Sequence, residues 1–255
     1  MNAEKATPIL IRIEGLTKRF GALTAVDRVD FSLARGRLHS IIGPNGAGKT
    51  TFFNLISGEL PPTAGRIFFQ DRDITRLQAS QIAHLGIGRS FQRTNIFPNL
   101  SVYDNAWAAA YAVRTRHPFH LMKEAPRSGE VADATWAALE EVGLQERAHH
   151  PAGELPHGEQ RLLEVAITLA AGPTVLLLDE PSSGLSSGEL RSMIELLQHL
   201  GQRYTILLIE HNMTVVMSIS ERISVFHFGT IIAEGKPEEV RTNEDVKRAY
   251  LGRRA

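Results

Sequence analysis

Two short segments of this sequence carry residue types at spacings that could do chemistry. The first is Gly43-Pro44-Asn45-Gly46-Ala47-Gly48-Lys49-Thr50, followed at once by Thr51. It satisfies G-x-x-x-x-G-K-[ST] at every constrained position. Its glycines let the backbone turn tightly and aim N–H groups into a concavity that fits phosphate oxygens. Lys49 can reach the β- and γ-phosphates of a nucleotide, and the Thr50 hydroxyl can ligate Mg²⁺. The second segment is Val175-Leu176-Leu177-Leu178-Asp179-Glu180-Pro181. Behind a phosphate loop, its acidic pair is suited to holding Mg²⁺ through Asp179. Glu180 is placed to orient or deprotonate an attacking water. A strand ending in a solvated acidic turn is the plain alternative for the second segment alone.

These residues need particular elements to hold them. Leu38-His39-Ser40-Ile41-Ile42 reads as a short buried strand, and Thr50-Thr51-Phe52-Phe53-Asn54-Leu55-Ile56 as an amphipathic helix. A helix starting there points its free N–H groups and positive dipole end at bound phosphates. Residues 175–178 form a continuous apolar run, the mark of a strand covered on both faces. Such a strand delivers Asp179 and Glu180 to its C-terminal edge, where open α/β sheets place ligands.

Composition narrows the class. The 255 residues suffice for one large or two modest domains, and 43% hydrophobic content supports a substantial core. Lys+Arg 28 balances Asp+Glu 28, so charge argues for neither nucleic acid nor anionic lipid. No run of about 18 apolar residues is present. The opening Met1-Asn2-Ala3-Glu4-Lys5-Ala6-Thr7-Pro8 lacks the apolar stretch of a signal peptide. The absence of cysteine excludes disulfides, thiolate metal sites and a cysteine nucleophile. These features read as a soluble cytoplasmic protein. His117, His120, His149, His150 and His157 fit no zinc spacing and read as surface histidines.

Along the chain, strand signals at 9–13, 29–33 and 66–70 fill the opening third. The third of these follows the turn cluster Pro61-Pro62-Thr63-Ala64-Gly65. From about residue 100 to 150 the texture is alanine-rich and helical, clearest at Ala134–Val142. Strand and helix then alternate again: helix 159–171, strand 175–178, helix 188–200, strand 205–209. A mainly helical insertion between two α/β stretches is the expected organisation.

Between the two chemical segments lies Leu155-Pro156-His157-Gly158-Glu159-Gln160, at the start of a helix. It resembles the Leu-Ser-Gly-Gly-Gln signature of the ABC-transporter ATPase family. Other family elements occur in the same order. Phe20 in Lys18-Arg19-Phe20-Gly21 sits where the family stacks an aromatic on adenine. Gln92 in Arg89-Ser90-Phe91-Gln92 sits at the Q-loop glutamine, and His211 in Leu208-Ile209-Glu210-His211 at the switch histidine. The run Arg89–Asn105, the segment Leu208–Met213 and the ending Ala249-Tyr250-Leu251-Gly252 are similar to ATPases of branched-chain amino-acid importers. Subunits serving urea, amides or a lipid share much of this. An ABC ATPase acting on DNA or ribosomes lacks support, because neither long coiled-coil insertions nor a basic stripe is present.

The resemblance implies a P-loop NTPase core with a mixed or parallel sheet, an N-terminal antiparallel β subdomain and a helical signature subdomain. It implies one domain over 8–255, with a core of about 8–90 and 172–255 and a helical part of about 91–171. ATP and Mg²⁺ are the implied ligands. Residues 43–51 and Phe20 hold the nucleotide; Thr50, Gln92 and Asp179 serve the metal; Lys49, Gln92, Glu180 and His211 carry hydrolysis. Residues 155–160 face a second ABC ATPase subunit's nucleotide in a head-to-tail dimer. Permease subunits, indirectly a periplasmic substrate-binding protein, and a peripheral position on the cytoplasmic face of the inner membrane complete the expectation. Phe97, Pro98, Leu100 and Val102 would line or flank the groove for the membrane subunit. Two departures stand out. Pro156 replaces the signature serine and removes its hydroxyl, and Ser186 stands at the D-loop aspartate, so a weakened signature half-site is expected.

Overall fold

The computed structural model describes residues 8–90, 96–114 and 129–251. The chain forms two compact units, Met1–Ile82 with Leu200–Ala255, and Ala83–His199.

The first unit opens with the long hairpin of β1 (Ile9–Phe20) and β2 (Leu23–Ala34), followed by the buried strand β3 (Leu38–Ile42) and helix α1 (Lys49–Ile56). Strands β4 (Ala64–Phe69) and β5 (Arg72–Asp73) complete an antiparallel sheet in the order β2-β1-β4-β5. The expected strand at 9–13 runs on to Phe20. At Glu14-Gly15 its pairing shifts register with Gly15 at φ 54, and Asp30 accepts the Gly15 N–H at 2.7 Å. That bulge breaks the alternation from which strands are read in sequence, yet the ladder continues beyond it. Helix α2 (Ala79–His84) leads the chain out of this unit.

The unit resumes with β8 (Thr205–Ile209), α7 (Met213–Ile219), the hairpin of β9 (Arg222–His227) and β10 (Thr230–Gly235), α8 (Pro237–Thr242) and α9 (Glu244–Leu251). Strand β3 pairs in parallel with both β8 and β9, giving the order β10-β9-β3-β8 within this unit. All five residues of β3 and of β8 are buried, as continuous strands under two covering layers must be. Ile42, Val216, Ile223, Val225, Val240 and Val246 form the core beneath α7–α9. The β9–β10 turn uses Phe228 and Gly229, both at positive φ, as two-residue hairpins of right-handed twist require.

A polar chain runs from the buried His39 and Ser224 out to the exposed Glu234 and Arg222. His39 Nε2 lies 2.8 Å from Ser224 Oγ, which donates to Glu234 Oε2 at 2.8 Å, while Arg222 donates to Glu234 Oε1 at 2.8 Å. With the hydroxyl proton spent on Glu234, Ser224 accepts from His39 Nε2–H. Burial lowers the His39 pKa to about 4, against the smaller upward pull of Glu234 and with the help of Arg222.

In the second unit, β6 (Ile87–Arg89) pairs in parallel with β7 (Val175–Asp179). Three helices pack on one another: α3 (Val102–Arg114), α4 (Glu130–Glu141) and α5 (His157–Ala170). Buried Ala106, Ala110, Ala138 and Ala166 let their backbones approach closely. Arg114 ties two helix ends, donating to the carbonyls of Ala110 at 3.2 Å and Ala170 at 2.8 Å. Helix α6 (Ser187–Gly201) follows β7. The alanine-rich stretch is helical among the described residues, as its composition indicates.

Candidate active site

The turn between β3 and α1 is built by glycines that nothing else could replace. Gly43 has φ 150, and a Cβ on it would lie 2.2 Å from the Phe226 carbonyl oxygen. Gly48, at φ 102, would place a Cβ 2.2 Å from the Ala25 carbonyl oxygen. The chain therefore passes between β2 and the β9–β10 turn at distances only glycine allows. The Gly229 N–H donates to the Ala47 carbonyl at 2.9 Å, and the Asp27 N–H to the Gly229 carbonyl at 2.9 Å.

Lys49, only 7% exposed, donates to the carbonyls of Gly43 at 2.7 Å and Pro44 at 3.0 Å. Its ammonium thus lies inside the loop, on the side where a phosphate would enter. Asn45, Gly46 and Thr50 are exposed, Pro44, Gly48 and Thr51 partly so, and Ala47 is buried against the hairpin tip. Helix α1 starts without any side-chain cap, so its first N–H groups remain available for anions. A cavity of about 230 Å³ borders Pro44–Ala47, with Phe228 and Arg248 on its other walls. Sequence reasoning missed one support of the loop. The Tyr250 hydroxyl of α9 lies beside the Gly43 backbone, and burial pushes its pKa up to about 12.

Phe20 ends β1 with 46% of its surface exposed, so its ring is available to a ligand and is no core aromatic. The Lys18 ammonium lies 5.2 Å from the ring centroid. His211, also exposed, follows β8. The wholly buried Glu210 accepts the N–H groups of His211 at 3.1 Å and Asn212 at 3.3 Å, and Asn212 caps α7 through the Thr214 N–H. Residue 211 is thereby fixed at the strand-to-helix turn.

The acidic pair belongs to the second unit. Asp179 is 2% exposed and lies 3.8 Å from Arg89 Nη2, while its N–H donates to Ser90 Oγ at 3.3 Å. The Ser90 N–H donates in turn to the Leu177 carbonyl at 2.9 Å. The chain entering residues 91–95 is thus anchored on β7; Gln92 lies outside the described residues. Glu180 has φ 50, a left-handed conformation rare for a residue with a Cβ, and its carbonyl accepts the Ser183 N–H at 3.1 Å. Strain of this kind is found where a side chain must be aimed. Asp179 is a buried carboxylate of the kind that suits Mg²⁺, an ion that keeps waters and phosphates as its remaining ligands. Among the described residues no cluster of three His, Cys, Asp or Glu offers a self-sufficient metal cage.

Pro156 is the N-cap of α5 and supplies no side-chain cap. Its carbonyl accepts the Gln160 N–H at 3.0 Å, and the Gln160 side chain donates to the Leu155 carbonyl at 2.9 Å. Leu155 and Gly158 are buried, Pro156 and His157 exposed, and Glu159 lies 3.6 Å from Arg147. Of the residues expected along a membrane-subunit groove, Phe97 is 61% exposed, and Pro98 and Leu100 are also exposed. Val102 is fully buried and packs the helical core, which corrects its assignment to that surface. Asn105, buried beneath this turn, accepts the Phe97 N–H at 2.8 Å and donates to the Phe97 and Ser101 carbonyls at 3.1 and 2.9 Å.

The family model described as ABC transporter matches residues 26–183, and that of the Branched-chain amino acid ATP-binding cassette transporter matches residues 230–255. The high-affinity branched-chain amino acid transport ATP-binding protein LivG of Salmonella typhimurium is 42% identical over 251 residues, covering 95% of this chain and 98% of the relative. BraF of Pseudomonas aeruginosa, with the same description, is 41% identical over 249 residues, covering 95% and 98%. A crystal structure of the ADP conformation of an ABC-transporter cassette superposes with TM-score 0.85 at 31% identity, covering 96% of this chain and 100% of that one. A dimeric post-hydrolysis cassette bound to ADP and Pi gives TM-score 0.74 at 25% identity, covering 89% and 99%.

Proposed function

The chain belongs to the ABC transporter family of ATP-binding subunits, and from that premise we propose that it powers an importer of branched-chain amino acids. It is an ATPase subunit of a transporter. The observation that carries the substrate reading is the match of residues 230–255 to the branched-chain cassette model, beside relatives of nearly full length described by that transport.

In this reading the N–H groups of residues 43–51 cradle the ATP phosphates, Phe20 stacks on the adenine, and Lys49 exchanges its two carbonyl partners for phosphate oxygens. Thr50, Asp179 and Gln92 hold Mg²⁺, which neutralises charge on the phosphates when bound. Glu180 orients and deprotonates the attacking water, and His211 contacts the γ-phosphate. The N-terminus of α5, residues 155–160, faces the ATP of a second cassette, either another copy or a related subunit. ATP binds the closed pair preferentially, hydrolysis reopens it, and membrane permease subunits are moved between inward- and outward-facing states. The chain then works as a single cassette over 8–255, with its core at about 8–90 and 172–255 and its helical part at about 91–171. It lies peripherally on the cytoplasmic face of the inner membrane, with a periplasmic binding protein delivering substrate.

Uptake of labelled leucine, isoleucine and valine in cells lacking this gene tests the proposal. Uptake falls and is restored by the wild type but not by Glu180→Gln, whose ATP turnover drops by about 10²-fold or more while ATP binding persists. Unchanged amino-acid uptake with lost uptake of urea or short amides refutes the substrate assignment. Copurification with DNA or ribosomes in place of membrane subunits refutes transport.

A further inference from the structure

One side chain joins the turn after β7 to the N-terminus of α5, and the proposed reaction does not use it. Glu189 folds back on the start of α6: its Oε2 accepts the Ser186 N–H at 2.8 Å and the Ser186 hydroxyl at 2.6 Å. Its other oxygen serves a different helix. A Cβ built on Gly158 would lie 2.3 Å from Glu189 Oε1, and the Gly158 backbone N–H favours the charged form of this carboxylate. Gly158 is the second residue of α5, the helix whose N-cap is the proline. His157 closes the same seam, its Cε1 lying 3.0 Å from the position of a Cβ on Gly184. The Ser186 hydroxyl and N–H hold the Glu189 pKa below the ordinary carboxylate value, with smaller help from Gly158 and His157. Glu189 is therefore anionic at neutral pH.

We propose that Glu189 is a positioning residue that locks the 184–189 turn to the N-terminus of α5 and competes there with the phosphate of the partner-bound nucleotide. The inference rests on the reading that this N-terminus faces such a phosphate. Helix N-terminal N–H groups favour one anion, and a second anion brought to the same place is repelled. Glu189 thus supplies the cap that Pro156 withholds and raises the ATP concentration needed to close the pair. Replacing it by a neutral isostere keeps an acceptor for Ser186 and removes the charge. A single charge near a helix end changes binding by about two- to fivefold at low salt.

The test is the ATP dependence of turnover in the complex copurified with its membrane subunits. Glu189→Gln lowers the KM for ATP by about two- to fivefold at low ionic strength, and the difference shrinks at high salt. Glu189→Ala also lowers KM although it melts earlier, whereas a carboxylate serving stability alone would leave KM unchanged or raise it. An unchanged or raised KM in Glu189→Gln overturns the proposal. Pro156→Asp separates this from failure of the underlying reading, because aspartate is a good N-cap yet carries charge to the same helix end. Unaltered turnover in Pro156→Asp refutes a phosphate-facing α5. Impaired turnover there, with KM unmoved in Glu189→Gln, refutes the role of Glu189 alone.

Discussion

Replacing His39 by glutamine isolates the titration of one buried ring in the strand that feeds the phosphate loop. In the folded chain its pKa is lowered to about 4 from an ordinary 6.5, chiefly by burial, with Arg222 adding to this and Glu234 opposing it. The unfolded chain therefore takes up this proton first as pH falls. Above about pH 6.5 the group contributes nothing to the pH dependence; between 6.5 and 4 it removes stability progressively. At about 1.4 kcal/mol per pH unit, the full loss is on the order of 3 kcal/mol, and about 2 kcal/mol of it is gone by pH 5. A glutamine amide can still donate to Ser224 Oγ but has no proton to gain. Urea unfolding of wild type and His39→Gln from pH 8 to 4.5 gives the difference directly, since carboxylate titrations common to both cancel. The wild type loses stability relative to the variant below pH 6.5, with a flat difference above it. Parallel profiles across the whole range would refute the assignment of a neutral, desolvated His39.

Two further substitutions probe the nucleotide site. Gly48→Ala drives its Cβ into the Ala25 carbonyl, 2.2 Å away, so ATP binding measured by calorimetry is lost while far-UV circular dichroism stays near wild type. Pro156→Ser restores a hydroxyl at the α5 N-cap and raises ATP turnover of the assembled transporter; unchanged or reduced turnover would contradict a weakened signature.

The elements legible in the sequence were those with a strong local signal. Residues 175–178 are an apolar run too short for a helix, residues 38–42 are a short strand ahead of the glycines, and the loop at 43–51 is set by glycine and lysine spacing. Exposure of Phe20 and His211, ambiguous in the sequence, is plain in the fold. The misses share a different origin. Arg89 meets Asp179, Tyr250 meets Gly43 and Glu189 reaches Gly158 only because distant segments fold together. The left-handed backbone of Glu180 and Phe228 runs against residue preference and has no sequence mark. Val102 was expected to line or flank the groove with Phe97 and Leu100, but as the first residue of α3 it turns inward.

The two-residue β9–β10 turn bears on protein engineering. Phe228 is 80% exposed, and a hairpin tip of this kind is where a fluorophore, an epitope or a domain is usually grafted. Its neighbour Gly229 is hydrogen-bonded to Ala47 on one side and Asp27 on the other. A graft at 228–229 would silence the ATPase while leaving all its motifs unaltered, so a reporter is better placed elsewhere on the surface.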